Sequence, residues 1–186
     1  MHFQNVQAIA SPSVGIQLQG HPRVLWVGIG CQRCTPTAVI EQAIQQVFEI
    51  HHLAAGAIAG LATIDHKVNE VGLVEYCRDF NLPLKCFSAE ALQAIAVPNP
   101  STRVNSKVAT PSVAEAAAIL ATSNYQNLSH LKPNARHLKP ETCYPNPLIV
   151  SKQIFRLTDH PGAVTIAIAQ AEQEYTEQVF PMTEST

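Results

Sequence analysis

Apolar residues recur along the chain in two patterns, short continuous runs and longer stretches at helical spacing. The run over 23–30 (RVLWVGIG) is apolar, rich in β-branched residues and ends in glycine, which predicts a buried central strand. Thr35 and Pro36 predict an N-cap and a first helical residue, and the apolar spacing that follows predicts a helix to about residue 50. Three further elements are predicted in the same alternation: a strand over 57–64, a helix over 71–80 and a short strand over 82–87.

Two serines mark helix starts in the second half of the chain. Ser88 is predicted to cap a short helix that ends near Ala96. Ser112 and Glu115 match a capping box, in which each side chain bonds the other residue's backbone N–H, before a helix through residue 121. Two closing strands, with a turn between them, are predicted over 148–157 and 163–169.

Alternating strands and helices predict βαβ units, and hence an α/β domain with three layers, α/β/α, around a mixed, largely parallel sheet. The sheet is expected to be mixed because the last two strands look like a hairpin. The domain is predicted to span 23–170, after an N-terminal arm over 1–22 and before a polar tail over 171–186. Residues 122–147 are polar, contain four prolines and predict a loop excursion.

Composition narrows the class of protein. Only 14% of the 186 residues are charged and the net charge is −2, so no nucleic-acid partner is predicted. No run reaches the ~18 apolar residues of a membrane span, and the N-terminus lacks a signal-peptide pattern. We therefore expect a cytoplasmic protein without a membrane segment, whose five cysteines are reduced.

The first strand-to-helix turn combines two glycines with two cysteines. Gly28 and Gly30 allow a ligand to approach the backbone, and the helix start offers N–H groups to an anion. A dinucleotide fingerprint is not predicted, because Arg33 stands where its third glycine belongs. Three interpretations stay open: a tight turn alone, an anion-binding turn, or a thiol redox centre at Cys31 and Cys34.

The segment after the second strand is the most informative part of the chain. Asp65, His66, Lys67 and Glu70 place four titratable groups within six positions. Asp65 is suited to cap a helix and Glu70 to the positive end of its dipole, so a structural role is an alternative to a catalytic one. Lys67 is suited to hold a carboxylate as a point charge. A single CxxC does not complete a zinc set, so neither a protein metal site nor a cofactor is predicted.

Four stretches occur in the order and spacing of one known domain: GIGCQRCTPTAVIEQAI, LATIDHKVNEVGLVEYCRDFNLPLKCFSAEAL, VATPSVAEAAAIL and AVTIAIA. Over residues 23–170 the chain resembles the C-terminal domain of the cobalamin-biosynthesis protein CbiG, a domain also found alone as CobE. The combination of TID-x-K-x-x-E-x-GL with SVAEAAA carries the resemblance. It implies a role in building the corrin ring and, as in CbiG, opening of a lactone on cobalt-precorrin-5A with release of acetaldehyde.

The resemblance also implies a set of site residues at the strand ends. For a lactone hydrolase we expect Glu70 as the catalytic base, with either Lys67 or N–H groups at the strand ends facing the oxyanion. Positively charged side chains, among them Arg33 and either Arg103 or Lys107, would grip the carboxylates on the rim of a precorrin. Seven positions are expected to bind substrate: Gly28, Gly30, Arg33, Asp65, Ser112, Glu115 and Lys152.

Two departures from the family pattern leave alternatives open. CbiG has further domains upstream, whereas a short arm precedes the match here, so a carrier or accessory protein that binds a tetrapyrrole without catalysis is an alternative to a hydrolase. The family usually has glycine where Cys34 stands, which weakens the third alternative, a thiol oxidoreductase that needs a lowered Cys31 pKa. The expected partners are a precorrin or cobalt-precorrin and other corrin-pathway enzymes, with a homodimer as the oligomeric candidate.

Overall fold

The computed structural model describes residues 21–100, 112–122, 146–156 and 162–176. Strands and helices alternate in the first of these ranges, and a helix and two strands follow in the others. The strands are β1 (Leu25–Gly30), β2 (Ile58–Ile64), β3 (Leu84–Phe87), β4 (Leu148–Phe155) and β5 (Val164–Gln170). The α-helices are α1 (Thr37–Ile50), α2 (Val71–Asp79), α3 (Ala89–Gln93) and α4 (Val113–Thr122). The predicted strands and helices are confirmed within these ranges, with ends that differ by a few residues.

The five strands form one sheet in the order β3-β2-β1-β5-β4. β1 and β2 are parallel, as are β2 and β3, whereas β5 is antiparallel to β1 and to β4. Because β4 is antiparallel to a strand that is itself antiparallel to β1, it runs in the direction of β1, β2 and β3. The mixed, largely parallel sheet and its closing antiparallel pair are confirmed.

Side chains that alternate along β1 separate the two faces of the sheet. Leu25, Val27 and Ile29 belong to a core that includes the apolar faces of α1 and α2, while Trp26 packs with residues of α3 and α4 on the other side. The three-layer α/β/α architecture is therefore confirmed. The six α1 residues at the predicted helical spacing are all buried: Val39, Ile40, Ala43, Ile44, Val47 and Phe48.

Helix α4 lies very close to the sheet because its buried positions are largely alanine. A Cβ atom on Gly28 would lie 1.9 Å from the Ala114 carbonyl oxygen and 2.8 Å from the Ala118 nitrogen. Only glycine at position 28 allows this approach. The packing of α4 on β1 thus explains Gly28 without a ligand.

The predicted cap of α1 is wrong by one residue. Pro36, not Thr35, is the N-cap, and no side chain caps this helix. The Thr35 hydroxyl instead donates to the Gln32 carbonyl at 2.9 Å. The predicted cap at Ser88 is confirmed, since its side chain accepts a hydrogen bond from the Ala91 N–H at 3.3 Å.

Several predictions lie outside the described residues. They are the arm over 1–20, the short strand near 104–108, the cations Arg103 and Lys107, most of the 122–147 excursion, the turn at 159–161 and the tail beyond 176. The domain boundaries stay predictions. Across the ranges that the structure describes, no helix has both the length and the apolar character needed to cross a membrane.

Candidate functional site

The carboxyl ends of β1, β2 and β3 lie along one edge of the sheet, because these strands are parallel neighbours. The turn over 31–36 leaves β1, and the turn over 65–70 leaves β2 beside it. In open α/β sheets this edge is where ligands bind. The two turns carry Arg33, Asp65, Lys67 and Glu70 of the predicted site.

Lys67 and Glu70 form an ion pair at the centre of this edge. Lys67 Nζ donates to Glu70 Oε2 at 2.7 Å, and the two side chains are only 8% and 10% exposed. Lys67 ends the 3-10 turn Asp65–Lys67, and Glu70 is the N-cap residue of α2. The two side chains are therefore only three positions apart in the sequence. A charged pair that is so far removed from water interacts strongly, and it also carries a large desolvation cost.

The other carboxylate oxygen of Glu70 is held by the turn after β1. Oε1 accepts a short hydrogen bond from the Cys34 N–H, and the Thr35 N–H also bonds the carboxylate. Cys34 has a φ of 59°, in the left-handed region, a conformation that directs successive N–H groups towards one point. The N–H groups of this turn therefore bind the chain's own Glu70 carboxylate, and binding of an anionic ligand at the turn stays a prediction.

These contacts set the protonation state of Glu70. Burial raises the pKa of Glu70, but the hydrogen bonds and charge of Lys67 and the N–H groups of Cys34 and Thr35 outweigh it and lower the pKa below its ordinary value. Glu70 is therefore a carboxylate at neutral pH. A general base works best with a pKa near the working pH, so the carboxylate as held here is a weak base.

Cys31 borders the ion pair, and its chemistry opposes the redox interpretation. Burial raises the pKa of the Cys31 thiol, as does the charge of Glu70, while Lys67 and a hydrogen bond with Thr35 lower it less. A thiol oxidoreductase needs a lowered pKa at this position. The raised pKa of Cys31 is therefore opposite to the one that a thiol oxidoreductase needs, although Cys31 and Cys34 are both free thiols.

Close contact between the starts of α1 and α2 fixes the pair in place. A Cβ atom on Gly72 would lie 2.2 Å from the Thr35 carbonyl oxygen and 3.1 Å from the Thr37 nitrogen. The Thr37 hydroxyl donates to Glu75 Oε2 at 2.6 Å. Glu75 was not predicted from the sequence, since nothing local distinguishes it from an exposed helical glutamate.

A second polar cluster lies on the other side of the sheet. Glu115 is fully buried, and its Oε1 accepts from Asn99 Nδ2 at 2.9 Å and from the Lys152 N–H at 3.0 Å. Its Oε2 accepts from the Asn99 N–H at 3.3 Å, and Lys152 Nζ donates to the Asn99 carbonyl at 2.7 Å. Glu115 and Lys152 thus join α4, the segment after α3 and the edge strand β4. Glu115 is removed from solvent and both of its oxygens are used in these contacts, while its contact with a substrate stays a prediction.

The predicted capping box at the start of α4 is wrong. The Glu115 carboxylate is bonded to Asn99 and Lys152, and the buried Ser112 hydroxyl has no hydrogen-bond partner in the described chain. A local sequence pattern could not reveal partners that lie 16 and 37 positions away.

The remaining predicted site residues lie around this edge. Arg33 and Asp65 are exposed and reach solvent. A Cβ atom on Gly30 would lie 2.5 Å from Thr165 Oγ1, whose hydroxyl donates to the Gly30 carbonyl at 3.1 Å, so β5 packing explains this glycine. Within the described residues, no three acidic, histidine or cysteine side chains are grouped as metal ligands.

Comparison with known proteins identifies relatives over most of this fold. The family model described as "Cobalamin synthesis G C-terminus" matches residues 25–169. A cobalt-precorrin-5A hydrolase of Priestia megaterium is 31% identical over 99 residues, which cover 53% of this chain and 26% of that protein. A cobalt-precorrin-5A hydrolase of Salmonella typhimurium is 31% identical over 72 residues, which cover 39% of this chain and 20% of that protein. The chain thus matches about a quarter or less of the length of these relatives.

Solved structures share the fold. CobE, a protein from the cobalamin (vitamin B12) biosynthetic pathway, is similar with a TM-score of 0.59 and 22% identity, over 86% of this chain and 99% of that one. A cobalamin biosynthesis protein G homologue from Sulfolobus solfataricus gives a TM-score of 0.52 and 21% identity, over 81% of this chain and 38% of that one.

Proposed function

Because the chain belongs to the family of the cobalamin synthesis G C-terminus, we propose that it binds a precorrin or cobalt-precorrin intermediate during construction of the corrin ring. The finer proposal is that it opens the lactone of cobalt-precorrin-5A and releases acetaldehyde. Two relatives are named as hydrolases of that compound, which supports this choice of reaction. The observation that carries the proposal is the buried Lys67–Glu70 pair at the carboxyl edge of the sheet.

The pair offers a cation and a carboxylate where a ligand is expected to bind. An oxygen of the substrate that approaches Lys67 competes with Glu70 Oε2 for the same ammonium group. Lactone hydrolysis places negative charge on the carbonyl oxygen in the transition state, and an ammonium group removed from water stabilises that charge. The exposed Arg33 guanidinium on the neighbouring turn is suited to a carboxylate at the rim of the macrocycle.

Substrate binding would also change Glu70 from a structural carboxylate into a base. Lys67 is one of the groups that keep the pKa of Glu70 low, while burial acts in the opposite direction. If the substrate binds the Lys67 ammonium, Glu70 loses one of the interactions that lower its pKa, while burial still raises it. The pKa of Glu70 then rises towards the range of a general base. The Glu70 carboxylate can then remove a proton from the attacking water.

Glu70→Gln tests this role with little change of shape. Because this change leaves the Lys67 ammonium without its carboxylate, the variant is assayed at a temperature where its unfolding curve shows it to be folded. There we expect it to bind cobalt-precorrin-5A within a fewfold of wild type and to lose acetaldehyde release by at least about 100-fold. Glu41→Gln is the matched control, since Glu41 is an exposed carboxylate on α1, and it should release acetaldehyde as wild type does. Release retained by Glu70→Gln would contradict the assignment of Glu70 as base.

A carrier or accessory protein that binds the tetrapyrrole without opening it is the second candidate. Two observations favour it: the carboxylate of Glu70 is fully engaged and weakly basic as held, and the match covers only 26% and 20% of the hydrolases. This candidate predicts that cobalt-precorrin-5A binds and that no acetaldehyde appears until another pathway protein is added. Other corrin-pathway enzymes and a second copy of the chain stay predicted partners.

A further inference from the structure

The hydroxyl of Ser112 is buried and unpaired. Ser112 is 4% exposed, and its Oγ has no hydrogen-bond partner among the described residues. Buried polar groups in native proteins almost always have a partner, because leaving one unpaired costs the free energy of its desolvation. An orphaned hydroxyl at this position therefore needs an explanation outside the described chain.

Ser112 stands at the N-cap of α4, where backbone donors are also free. The Ser112 carbonyl accepts from the Ala116 N–H at 3.1 Å, which makes this the first bond of the helix. The N–H groups of the residues before Ala116 have no partner within the helix, and no described side chain accepts from Val113 or Ala114. Hydroxyl and N–H groups together form a set of donors at the positive end of the helix dipole, and such a set selects an anion.

The chain's own carboxylate at this helix end is already engaged. Glu115 lies in the first turn of α4, and its two oxygens accept hydrogen bonds from Asn99 and Lys152. The Lys152 ammonium, which donates to the Asn99 carbonyl, places a positive charge in the same cluster. Glu115 therefore does not fill the donor set at Ser112. Its own negative charge already has a cation, Lys152, close by.

The start of α4 lies at the same edge of the sheet as the Lys67–Glu70 pair. A Cβ atom on Gly30 would be 3.9 Å from Val113 Cβ, and Gly30 directly precedes the turn whose Cys34 N–H holds Glu70. The Lys67–Glu70 pair thus lies on one side of β1 and the free donors at the start of α4 on the other, and a flat ligand ring with several carboxylates at this edge would face both.

We propose that the N-terminus of α4 binds a carboxylate of the ligand through the Ser112 hydroxyl and the N–H groups of Val113 and Ala114. The identity of the ligand, a precorrin with acetate and propionate groups on its rim, rests on the proposed function. The chemistry of the site, recognition of a small carboxylate by uncharged donors, rests on the geometry alone.

Sodium propionate added to the ¹⁵N-labelled chain, at constant ionic strength against sodium chloride, tests the site directly. We expect saturable amide shifts at Val113 and Ala114, and none at the α3 amide of Ala91, which Ser88 already caps. Ser112→Ala should weaken propionate binding by about tenfold, since it removes a hydrogen bond to a charged group. Absence of saturable shifts at Val113 and Ala114 would overturn the proposal.

Thermal unfolding separates a ligand site from an ordinary cap. Ser88→Ala removes an observed cap and should lower the unfolding temperature, whereas Ser112→Ala removes an unpaired hydroxyl and should leave the temperature unchanged or higher without propionate. An equal loss in both variants would show that Ser112 caps α4, and the proposal would be wrong.

Cobalt-precorrin-5A then distinguishes this proposal from the proposed function. Propionate shifts without any precorrin binding would support the carboxylate site and contradict the proposed function. Precorrin binding of equal strength in wild type and Ser112→Ala, without propionate shifts, would support the proposed function and contradict the site. A Ser112→Ala variant that binds both ligands more weakly would support both.

Discussion

Replacement of Lys67 by methionine is expected to destabilise the protein strongly, because it leaves the Glu70 carboxylate buried without its cation. At 2.7 Å and an effective dielectric constant of about 20, the gross attraction between the charges is about 6 kcal/mol. Desolvation of both groups offsets most of this gain, so the intact pair contributes little net stability. Loss of one partner is different, since the other charge keeps its desolvation cost without compensation. The N–H groups of Cys34 and Thr35 still hold Glu70, so we expect about 3 kcal/mol, the low end for such variants.

Urea unfolding at pH 7 measures this loss. The double variant Lys67→Met/Glu70→Gln removes both charges and should recover about 2 kcal/mol relative to Lys67→Met. Arg78→Met is the matched control, because Arg78 Nη2 lies 3.0 Å from Asp79 Oδ1 in an exposed pair on α2, and it should cost less than about 1 kcal/mol. If Lys67→Met costs no more than Arg78→Met, water screens the Lys67–Glu70 pair and the reasoning is refuted.

Three further predictions follow from the same contacts. Cys34→Gly should raise the free energy of unfolding by about 1 kcal/mol because φ is 59° there, and a lower unfolding temperature would contradict this. Gly72→Ala should cost about 2 kcal/mol in urea unfolding, since its Cβ would lie 2.2 Å from the Thr35 carbonyl; an unchanged stability would show that the turn yields freely. Because the pKa of Glu70 is lowered, its contribution to stability is complete above the ordinary value of 4.5 and is lost as pH falls through the folded value. Glu70→Gln should flatten the stability profile in that acidic range, and an unchanged profile would contradict the lowered pKa.

The sheet could be predicted from the sequence because its strands are buried runs. β1 and β2 lie between two layers of helices, so their apolar residues are continuous and easily distinguished from the spaced apolar face of α1. The antiparallel closing pair followed from two runs separated by a short turn. These features depend on local patterns, which a sequence displays directly.

The polar contacts depended on tertiary partners and were only partly predictable. Lys67 and Glu70 are three positions apart, so their meeting could be expected, but the filling of the 31–36 turn by Glu70 could not. Likewise, the Ser112–Glu115 spacing fits a capping box, yet the bonds from Asn99 and Lys152 take the Glu115 carboxylate. The sequence shows which groups are present, and tertiary packing decides which of them pair.

Close packing explains Gly28 and Gly30, whereas their sequence motif suggested ligand binding. Gly28 and Gly30 lie in the last three positions of β1, before a turn that resembles ligand-binding loops, but α4 and Thr165 occupy the space beside them. That space is defined by elements far along the chain, so the sequence alone could not decide between a tight turn, an anion-binding turn and a thiol redox centre.

The visible spectrum of cobalt-precorrin-5A, titrated with the wild-type chain, tests the central claim most directly. We predict a saturable spectral change with one tetrapyrrole per chain, and weaker binding for Arg33→Gln. Acetaldehyde measured in the same cuvette would identify a hydrolase, and its absence a carrier or accessory protein. A spectrum that does not change at any concentration of the chain would contradict the claim that this sheet edge binds a corrin-ring intermediate.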